Sequence, residues 1–324
     1  MSWQATRLWQ AGILGLNRRN LDYIQRYNQR RLYPLVDDKL RTRELAEKAG
    51  INVPPTYAVI ESEHQNRTLA RKLQNHEQFV IKPAQGSGGN GILIIQESFG
   101  TSHRRNFLRG SGRPLDTGDL RFHVSNILSG LYSLGGNNDR AIVEYRIPPH
   151  PLFDNISYRG IPDIRTVVFR GVPVMAMLRL ATSRSGGKAN LHQGAIGAGI
   201  NMRTGRTREG VWFERPVSRH PDTGEAVPGL ELPDWQGLML LAARCHDLTG
   251  LGYLGVDVVL DPQRGPMLLE LNARPGLSIQ LANRMGLLPR LRKIERMQTI
   301  PETPEERVAL GRELTDEGEK TAPA

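Results

Sequence analysis

Two acidic residues and an asparagine towards the end of the chain have a spacing that suits metal binding. Glu270 and Asn272 are two residues apart in the apolar stretch "LLELN", so a strand directs both side chains to one face. Asp257 lies in "GVDVV", and a hairpin turn at residues 261–266 lets it face them. Carboxylate and amide oxygens suit Mg²⁺, which also takes ligands from substrate phosphates. Solvated acids are the alternative, but burying them in such apolar strands without a cation costs several kcal/mol, which favours a metal site.

A glycine-rich segment upstream has the spacing of a phosphate-binding loop. Residues 81–95, "IKPAQGSGGNGILII", contain a G-x-G-x-x-G string, and Lys82 precedes it on an apolar strand. A dinucleotide-binding fingerprint requires a helix after the glycines, whereas "GILIIQ" is rich in β-branched residues and predicts a strand. The lysine precedes the loop, unlike in protein kinases, and no Gly-Lys-Ser/Thr of a Walker A motif closes it. We therefore predict a hairpin that covers nucleotide phosphates, with Lys82 at the phosphates and backbone N–H groups supplied by Gly86, Ser87, Gly88, Gly89 and Gly91.

Two arginines in apolar surroundings are candidates for binding an anion. Arg165 and Arg179 lie on the two strands of a hairpin that is predicted to turn at residues 171–173. Arginine in such a place is costly unless it faces an anion, and its planar fork binds carboxylate or phosphate through two hydrogen bonds. A structural pair with a nearby carboxylate is the alternative that the sequence leaves open.

A second glycine-rich segment, residues 183–199, is predicted to be a mobile lid. It contains Asn190 and His192, and Lys188 lies close by. We take Asn190 and His192 as candidate catalytic residues, because a flexible loop of this kind is where a lid would lie. A structural or solvated histidine remains the alternative.

The composition indicates a globular protein with an anionic partner. The formal net charge is +10, which favours a nucleotide or another acidic ligand, although a solvated basic surface gives the same total. The basic residues are scattered and form no recognised nucleic-acid motif, so nucleic acid is disfavoured. The single cysteine, Cys245, lies in an apolar helical stretch and is predicted to be a buried thiol in a reducing, cytoplasmic setting. No apolar run approaches the ~20 residues that span a bilayer.

The two ends of the chain are predicted to differ from its centre. Residues 1–36 indicate a basic N-terminal arm with helical pieces, which packs on the rest of the protein or, alternatively, contacts a membrane surface or a partner. Residues 100–114 are polar and basic and predict a mobile loop. Residues 297–324 contain few apolar and many charged residues, which predicts a disordered tail.

Seven segments in chain order resemble the ATP-grasp ligases, most closely the alpha-L-glutamate ligase-like branch related to the ribosomal-protein glutamate ligase. They span residues 37 to about 290. The segments are "DDKLRTRELAEKAGINVPPTY", "VIKPAQGSGGNGI", "VEYRI", "DIRTVVFRGVPVMAMLRL", "KANLHQGA", "GVDVV" and "LLELNARPG". This resemblance implies an α+β ATP-grasp fold with two α+β lobes that hold ATP between them. A reduced helical arm, residues 1–36, stands in place of the α/β domain that usually comes first. The lobes are then residues 37–142, with the glycine loop, and residues 143–296, with the metal site, before the tail 297–324.

The resemblance also implies a role for most of the candidate residues. Lys39 and Lys82 contact ATP, and the strand around Glu144 and Tyr145 is similar to the hinge that holds adenine and ribose. Two Mg²⁺ ions, with Mn²⁺ as an alternative, are held by Asp257, Glu270 and Asn272. Arg165, Arg179 and Asn190 are similar to the family residues that hold the transferred phosphate and the acceptor carboxylate. Arg274 occupies the position that matches a residue beside the metals.

The expected reaction is that of a carboxylate–amine ligase that uses ATP and releases ADP. The family activates a carboxylate as an acyl phosphate, which an amine then converts to an amide. We expect glutamate or another amino acid, or a peptide, as a substrate. A catalytically inactive nucleotide-binding module in an assembly is the alternative function, and a homo-oligomer also stays open.

Overall fold

The computed structural model describes residues 10–86, 88–100, 105–133 and 135–319. These residues form two compact units. The smaller unit comprises Asp38–Arg43 and Val53–Ile147, and the larger takes the described residues of Met1–Asp37, Glu44–Asn52 and Pro148–Ala324. Each unit contains an antiparallel sheet with helices, which confirms the predicted α+β class. No helix in the described part of the chain is long and apolar enough to cross a membrane.

The elements are as follows. The strands are β1 (Thr56–Ile60), β2 (Phe79–Pro83), β3 (Leu93–Gly100), β4 (Arg105–Arg109), β5 (Pro114–Asp116), β6 (Ala141–Glu144), β7 (Asp163–Phe169), β8 (Val172–Leu180), β9 (Ile196–Ile200), β10 (Thr207–Trp212), β11 (Arg215–Val217), β12 (Tyr253–Asp261) and β13 (Gly265–Asn272). The α-helices are α1 (Leu16–Arg18, continued by the π-helix Arg19–Gln25), α2 (Pro34–Asp37), α3 (Lys39–Lys48), α4 (Glu63–Arg67), α5 (Leu69–Lys72), α6 (Thr117–Leu128), α7 (Trp235–Thr249), α8 (Ser278–Asn283), α9 (Leu288–Arg296) and α10 (Pro304–Glu319). Short 3₁₀ helices are Arg30–Leu32, Pro151–Phe153 and Leu191–Gln193.

The smaller unit is built on a six-stranded sheet with the order β1-β6-β2-β3-β4-β5. Its core forms where the alternating apolar residues of β2 and β3 meet the apolar face of α6, with Phe79 packed edge-on against Phe107. Helix α6 begins at a capping box in which Asp116 and Asp119 each accept from the other's backbone N–H. The glycine segment joins β2 to β3, as predicted for a hairpin.

The larger unit is built on a seven-stranded sheet with the order β11-β10-β9-β8-β7-β12-β13. All residues of β12 are buried, because the strand lies inside the sheet and its side chains are covered on both faces. The arm contributes Leu14, Tyr23 and Ile24 to the core of this unit. The structure therefore supports the prediction that this part of the arm packs on the protein. Residues 1–9 of the arm lie outside the described residues.

Three sequence predictions differ from the structure. Residues 304–319 of the tail form α10, whose Val308 and Leu314 are buried, so the prediction of disorder is wrong there. The sparse apolar residues lie on one face of the helix, and Arg307 pairs with Asp247, which a count of charges does not reveal. The segment predicted as a loop at residues 100–114 includes β4, which is held in the sheet by the buried Phe107.

The third difference concerns the boundary between the units. Strand β6 pairs with β1 and β2, so the smaller unit extends to Ile147 rather than ending at residue 142. Residues 44–52, which include half of α3, belong to the larger unit, where the backbone carbonyl of Asn52 accepts from the N–H of Leu268. Because each unit contains more than one stretch of the chain, no single boundary in the sequence separates the two units.

Candidate functional site

The glycine loop of the smaller unit adopts backbone conformations that favour glycine. The φ angles are +65° at Gly88, +75° at Gly89 and +74° at Gly91. A Cβ on Gly86 would lie 2.3 Å from Pro83 Cγ, and one on Gly91 would lie 2.6 Å from the ring of Tyr132. The glycines are therefore required by the loop itself. Ser87, predicted to contact phosphate, lies outside the described residues.

Lys82 lies on β2 in a buried cluster with one carboxylate and one other cation. Its Nζ is 2.8 Å from Glu144 Oε1, while the other oxygen of Glu144 accepts from the Arg43 guanidinium. All three side chains are less than a tenth exposed. Burial lowers the pKa of Lys82, and the charge of Glu144 offsets part of that effect. The cluster holds two cations against one anion, so it carries an excess positive charge that a second anion would balance.

Lys39 and two residues that sequence reasoning missed hold the loop. Lys39 Nζ donates to the carbonyl of Gly86 at 2.6 Å. The buried carboxylate of Asp139 accepts from the backbone N–H of Gln85 at 3.0 Å, and His123 Nε2 is 3.0 Å from the carbonyl of Gly91. Neither Asp139 nor His123 lies in a recognisable motif, because each acts through backbone groups that only the fold brings near.

Glu144 and Tyr145, expected to form a hinge for adenine and ribose, lie at the end of β6 within the smaller unit. Glu144 is committed to the lysine–arginine cluster, whereas the backbone N–H of Tyr145 donates to Pro55 at 2.8 Å. Glu144 is thus a positioning residue for Lys82. The adenine contact stays a prediction.

In the larger unit, the three predicted metal ligands converge. Asp257 pairs in register with Glu270 across β12 and β13, and Asn272 Nδ2 is 3.4 Å from Asp257 Oδ2. Asp257 is 3 % exposed, whereas Glu270 is half-buried. Within the described part of the chain, the side chain of Glu270 makes no hydrogen bond or ion pair. A half-buried carboxylate without a partner, beside a second carboxylate, is an arrangement that attracts a cation.

These residues fit Mg²⁺ as part of a coordination shell. They offer two carboxylates and one amide oxygen, and no group of three or more His, Cys, Asp or Glu able to hold a metal occurs among the described residues. Mg²⁺ is usually held by one or two carboxylates together with water and substrate phosphates, so this set suffices. Both oxygens of Asp257 accept from arginines here, which means that an ion would have to share or displace those contacts.

Arg165 and Arg179 pair with carboxylates, the alternative that the sequence left open. The guanidinium of Arg165 holds Asp257 through two hydrogen bonds, and Arg179 holds Asp163 in the same way. Arg179 also reaches Asp257 Oδ2 at 3.0 Å. We name these four residues, Asp163, Arg165, Arg179 and Asp257, the charge array. Asp163 was not identified from the sequence.

The two carboxylates of the charge array differ in their pKa. Burial alone raises the pKa of Asp257, but Arg165 and Arg179 outweigh it and hold this pKa below its usual range. Burial raises the pKa of Asp163 to about 6, because Arg179 offsets burial only in part and the charge of Asp257 opposes ionisation. Of the two carboxylates, Asp257, which lies opposite Glu270, therefore keeps its negative charge to lower pH.

The side chains of Asn190, His192 and Arg274 are not hydrogen-bonded to the charge array. Asn190 Oδ1 accepts from the backbone N–H of His192 at 3.0 Å and caps the 3₁₀ helix Leu191–Gln193, while the His192 side chain is exposed. Arg274 follows β13 by two residues, and its guanidinium lies 4.8 Å from the centre of the Tyr33 ring. Their catalytic roles stay predictions.

Comparison with protein families matches residues 18–296 to the family described as sugar-transfer associated ATP-grasp. This match agrees with the ATP-grasp resemblance of the sequence; the narrower glutamate ligase-like branch stays a prediction. A search of curated proteins finds no match.

Solved structures that resemble the chain include ATP-grasp ligases. The ligase PsnB complexed with a minimal precursor has 17% identity and a TM-score of 0.40, over 77% of this chain and 56% of its own. A RiPP-associated ATP-grasp ligase from Chryseobacterium gregarium has 13% identity and a TM-score of 0.42, over 92% and 63%. D-alanyl-alanine synthetase A from Vibrio cholerae has 9% identity and a TM-score of 0.47, over 88% and 66%. This chain therefore spans little more than half the length of PsnB. Similarities at this level do not indicate the substrate of this chain.

Proposed function

The chain belongs to the sugar-transfer associated ATP-grasp family, and we propose that it is an ATP- and Mg²⁺-dependent carboxylate–amine ligase. One substrate in this proposal is glutamate or another amino acid. Because the family is described as sugar-transfer associated, we propose that the second substrate carries a sugar. The observation that carries the proposal is the row Glu270–Asp257–Arg165 across three neighbouring strands, in which an unpartnered acid faces a buried ion pair. Such a row supplies both the cation site and the anion site that phosphoryl transfer requires.

In this proposal the smaller unit binds the phosphates of ATP. Lys82 belongs to a cluster with excess positive charge, so a phosphate is its second anionic partner. Lys39 holds the loop at Gly86, and loop N–H groups donate to phosphate oxygens. A lysine with a pKa lowered by burial gains from an anion that restores its charged form.

Asp257, Glu270 and Asn272 would hold Mg²⁺ in the larger unit. The ion, when bound, neutralises charge on the phosphates and holds them in line with the attacking group. Arg165 and Arg179 then stabilise negative charge on the transferred phosphoryl group and orient the substrate carboxylate.

The reaction has two balanced steps. A carboxylate oxygen of the acid substrate attacks the γ-phosphorus of ATP, the bond from that phosphorus to the bridging oxygen breaks, and ADP leaves with the electron pair. The amine nitrogen of the second substrate then attacks the acyl carbon, inorganic phosphate leaves, and the nitrogen loses a proton as the amide forms. The chain's residues position and neutralise charge in both steps, with no covalent enzyme intermediate.

Hydroxylamine tests this proposal, because it replaces the unknown amine and converts an acyl phosphate into a hydroxamate. We expect MgATP with pools of amino acids, acidic peptides and sugar acids to give hydroxamate together with ADP. Glu270→Gln removes one negative ligand and should abolish both products, whereas Glu305→Gln on the exposed face of α10 should leave them unchanged. Equal ADP release by Glu270→Gln and the unchanged protein would contradict the assignment.

A nucleotide-binding module without catalysis is the second candidate. The observation in its favour is that both oxygens of Asp257 are engaged by arginines. This candidate predicts that MgATP raises the melting temperature, as ligand linkage requires, equally in Glu270→Gln and the unchanged protein. It also predicts no hydroxamate from any pool. Hydroxamate formation by the unchanged protein excludes it.

A further inference from the structure

A cavity of about 670 Å³ in the larger unit lies outside the charge array. It is lined by arm residues between Arg19 and Tyr33, together with Arg274, and we name it the arm cavity. Its volume lies in the range of about 300–1,000 Å³ that holds small-molecule ligands. Nothing in the roles assigned above uses it, apart from the position of Arg274.

The charge of the arm cavity is positive and uncompensated. Arg19, Arg30 and Arg274 line it, and none of its lining residues is acidic. Asp22, the acid nearest in sequence, pairs with Arg18 instead. Three guanidinium groups that line one space make it favourable for an anion.

The hydrogen-bonding capacity of these arginines is only partly used. Within the described residues, the side chains of Arg30 and Arg274 make no hydrogen bond or ion pair. Arg19 donates to Asn20 Oδ1 and to the carbonyl of Pro275. The pKa of Arg19 is lowered by burial and further by Arg274, so a ligand anion would restore favourable electrostatics at that position.

The arm is fixed beside the predicted metal ligands. Asn28 Nδ2 donates to the carbonyls of Tyr253 at 2.7 Å and Ala273 at 2.9 Å, and its Oδ1 accepts from the N–H of Tyr253. Ala273 separates Asn272, a predicted metal ligand, from Arg274, which lines the cavity. A ligand in the arm cavity therefore lies next to the end of β13 where the reaction is proposed to occur.

We propose that the arm cavity binds the anionic group of a sugar-containing substrate of the ligase, a sugar phosphate or a sugar acid, an inference that rests on the proposed function. The guanidinium groups recognise the phosphate or carboxylate. Side-chain amides such as those of Asn20 and Gln29 both donate and accept, which suits sugar hydroxyls.

Isothermal titration of the full chain tests the site without requiring turnover. Saturating MgADP fills the nucleotide site first, and the probes are glucose 6-phosphate, glucuronate, glutamate and glucose. We expect one of the two sugar anions to bind at least about tenfold more tightly than glucose, because charged hydrogen bonds distinguish them. The preferred anion identifies phosphate or carboxylate as the recognised group. Equal binding of glucose, or binding of glutamate alone, overturns the proposal.

Matched arm variants show whether the arginines are responsible. Arg30→Met removes an exposed charge that lines the cavity, and Arg26→Met removes an exposed arm charge that does not. We expect about tenfold weaker binding for Arg30→Met and no change for Arg26→Met. Equal affinities of the two variants overturn the proposal.

The hydroxamate assay separates failure of this proposal from failure of the ligase assignment. If the sugar anion binds in an Arg30-dependent manner but no acid yields hydroxamate, the site stands and the ligase function fails. If hydroxamate forms and Arg30→Met matches Arg26→Met in KM for every acid, the ligase function stands and the arm site fails.

Discussion

The two units hold buried charge in different proportions. In the smaller unit, Lys82 and Arg43 share the single carboxylate of Glu144, so the cluster has an excess positive charge. In the larger unit, the charge array balances two arginines with two carboxylates, and Glu270 adds negative charge beside it. Buried charge is tolerated only when it is paired. Under the proposed function, the anion bound in the smaller unit is a phosphate, and the cation bound in the larger unit shares Asp257 with the arginines.

Because of this difference in charge balance, the two clusters should respond differently to the removal of a charged side chain. Removing a cation from the smaller unit leaves a balanced pair, because Arg43 remains with Glu144. Removing a carboxylate from either cluster leaves buried arginine or lysine without a full partner. The same type of substitution should therefore affect stability and activity differently in the two units.

The largest expected effect is that of Asp257→Asn. It removes the shared partner of Arg165 and Arg179, and breaking a buried pair costs about 3–5 kcal/mol. It also removes a predicted metal ligand, so hydroxamate formation should be abolished. Urea denaturation and the hydroxamate assay measure the two effects. Asp261→Asn on the same strand, whose carboxylate caps the hairpin turn, should cost about 1 kcal/mol and keep activity. An active Asp257→Asn variant would remove Asp257 from the metal site.

The second prediction compares Glu144→Gln with Lys82→Met in the smaller unit. Glu144→Gln leaves two buried cations without a carboxylate and should lower the free energy of unfolding by about 3 kcal/mol or more. Lys82→Met should leave stability nearly unchanged while weakening ATP binding, because it removes the cation that is in excess. Chemical denaturation and ATP titration measure the two effects. Equal destabilisation by both variants would show that the cluster has no excess charge to give to a phosphate.

The third prediction concerns Asp163 and pH. Its pKa is raised to about 6 by burial, above its ordinary value of 3.8, so the folded protein keeps a proton that the unfolded chain loses between these values. This contribution to stability is present at low pH and is lost as the pH rises through about 6. Asp257 acts in the opposite sense, because its lowered pKa favours the folded state above the ordinary value.

Asp163→Asn isolates the contribution of Asp163. Relative to the unchanged protein, the variant should gain stability as the pH rises from about 4 to about 7, since only the unchanged protein loses the proton-linked contribution. Urea denaturation at both pH values gives this difference. A difference between the two proteins that does not change with pH would mean that Asp163 is ionised in the folded state throughout this range.

The residues of both clusters that belong to local motifs can be identified from the sequence. The residues that pair with them through the tertiary fold cannot. The glycine loop and Lys82 are recognisable because they are contiguous, and the Asp257–Glu270 register follows from a short hairpin turn. Asp163 was missed because its role depends on β7 lying between β8 and β12, an order that no local pattern specifies. Asp139 was missed because it acts on a backbone N–H that is distant in sequence.

The tail shows the same limit at larger scale. Its charges suggested a disordered segment, yet Val308 and Leu314 of α10 are buried. The arm was expected to pack on the protein, and its Leu14, Tyr23 and Ile24 reach the core. A few apolar residues on one helical face are enough when a packed surface is available to cover them. Such a surface is a property of the tertiary fold and is absent from the composition.

The smallest expected effect is that of Gly88→Ala in the loop of the smaller unit. Gly88 has a φ of +65°, and a Cβ there would meet nothing within 4 Å, so the substitution adds only backbone strain of about 1–2 kcal/mol. We expect a modest loss of stability and a weaker affinity for MgATP, measured by titration. Gly86→Ala forces a clash with Pro83 and should cost more. Gly224→Ala in the larger unit, at a φ of +75° with nothing within 4 Å, is the matched control and should lower stability without changing MgATP affinity. If Gly88→Ala and its control bind MgATP equally well, the loop backbone does not bind phosphate, and the excess charge at Lys82 serves another anion.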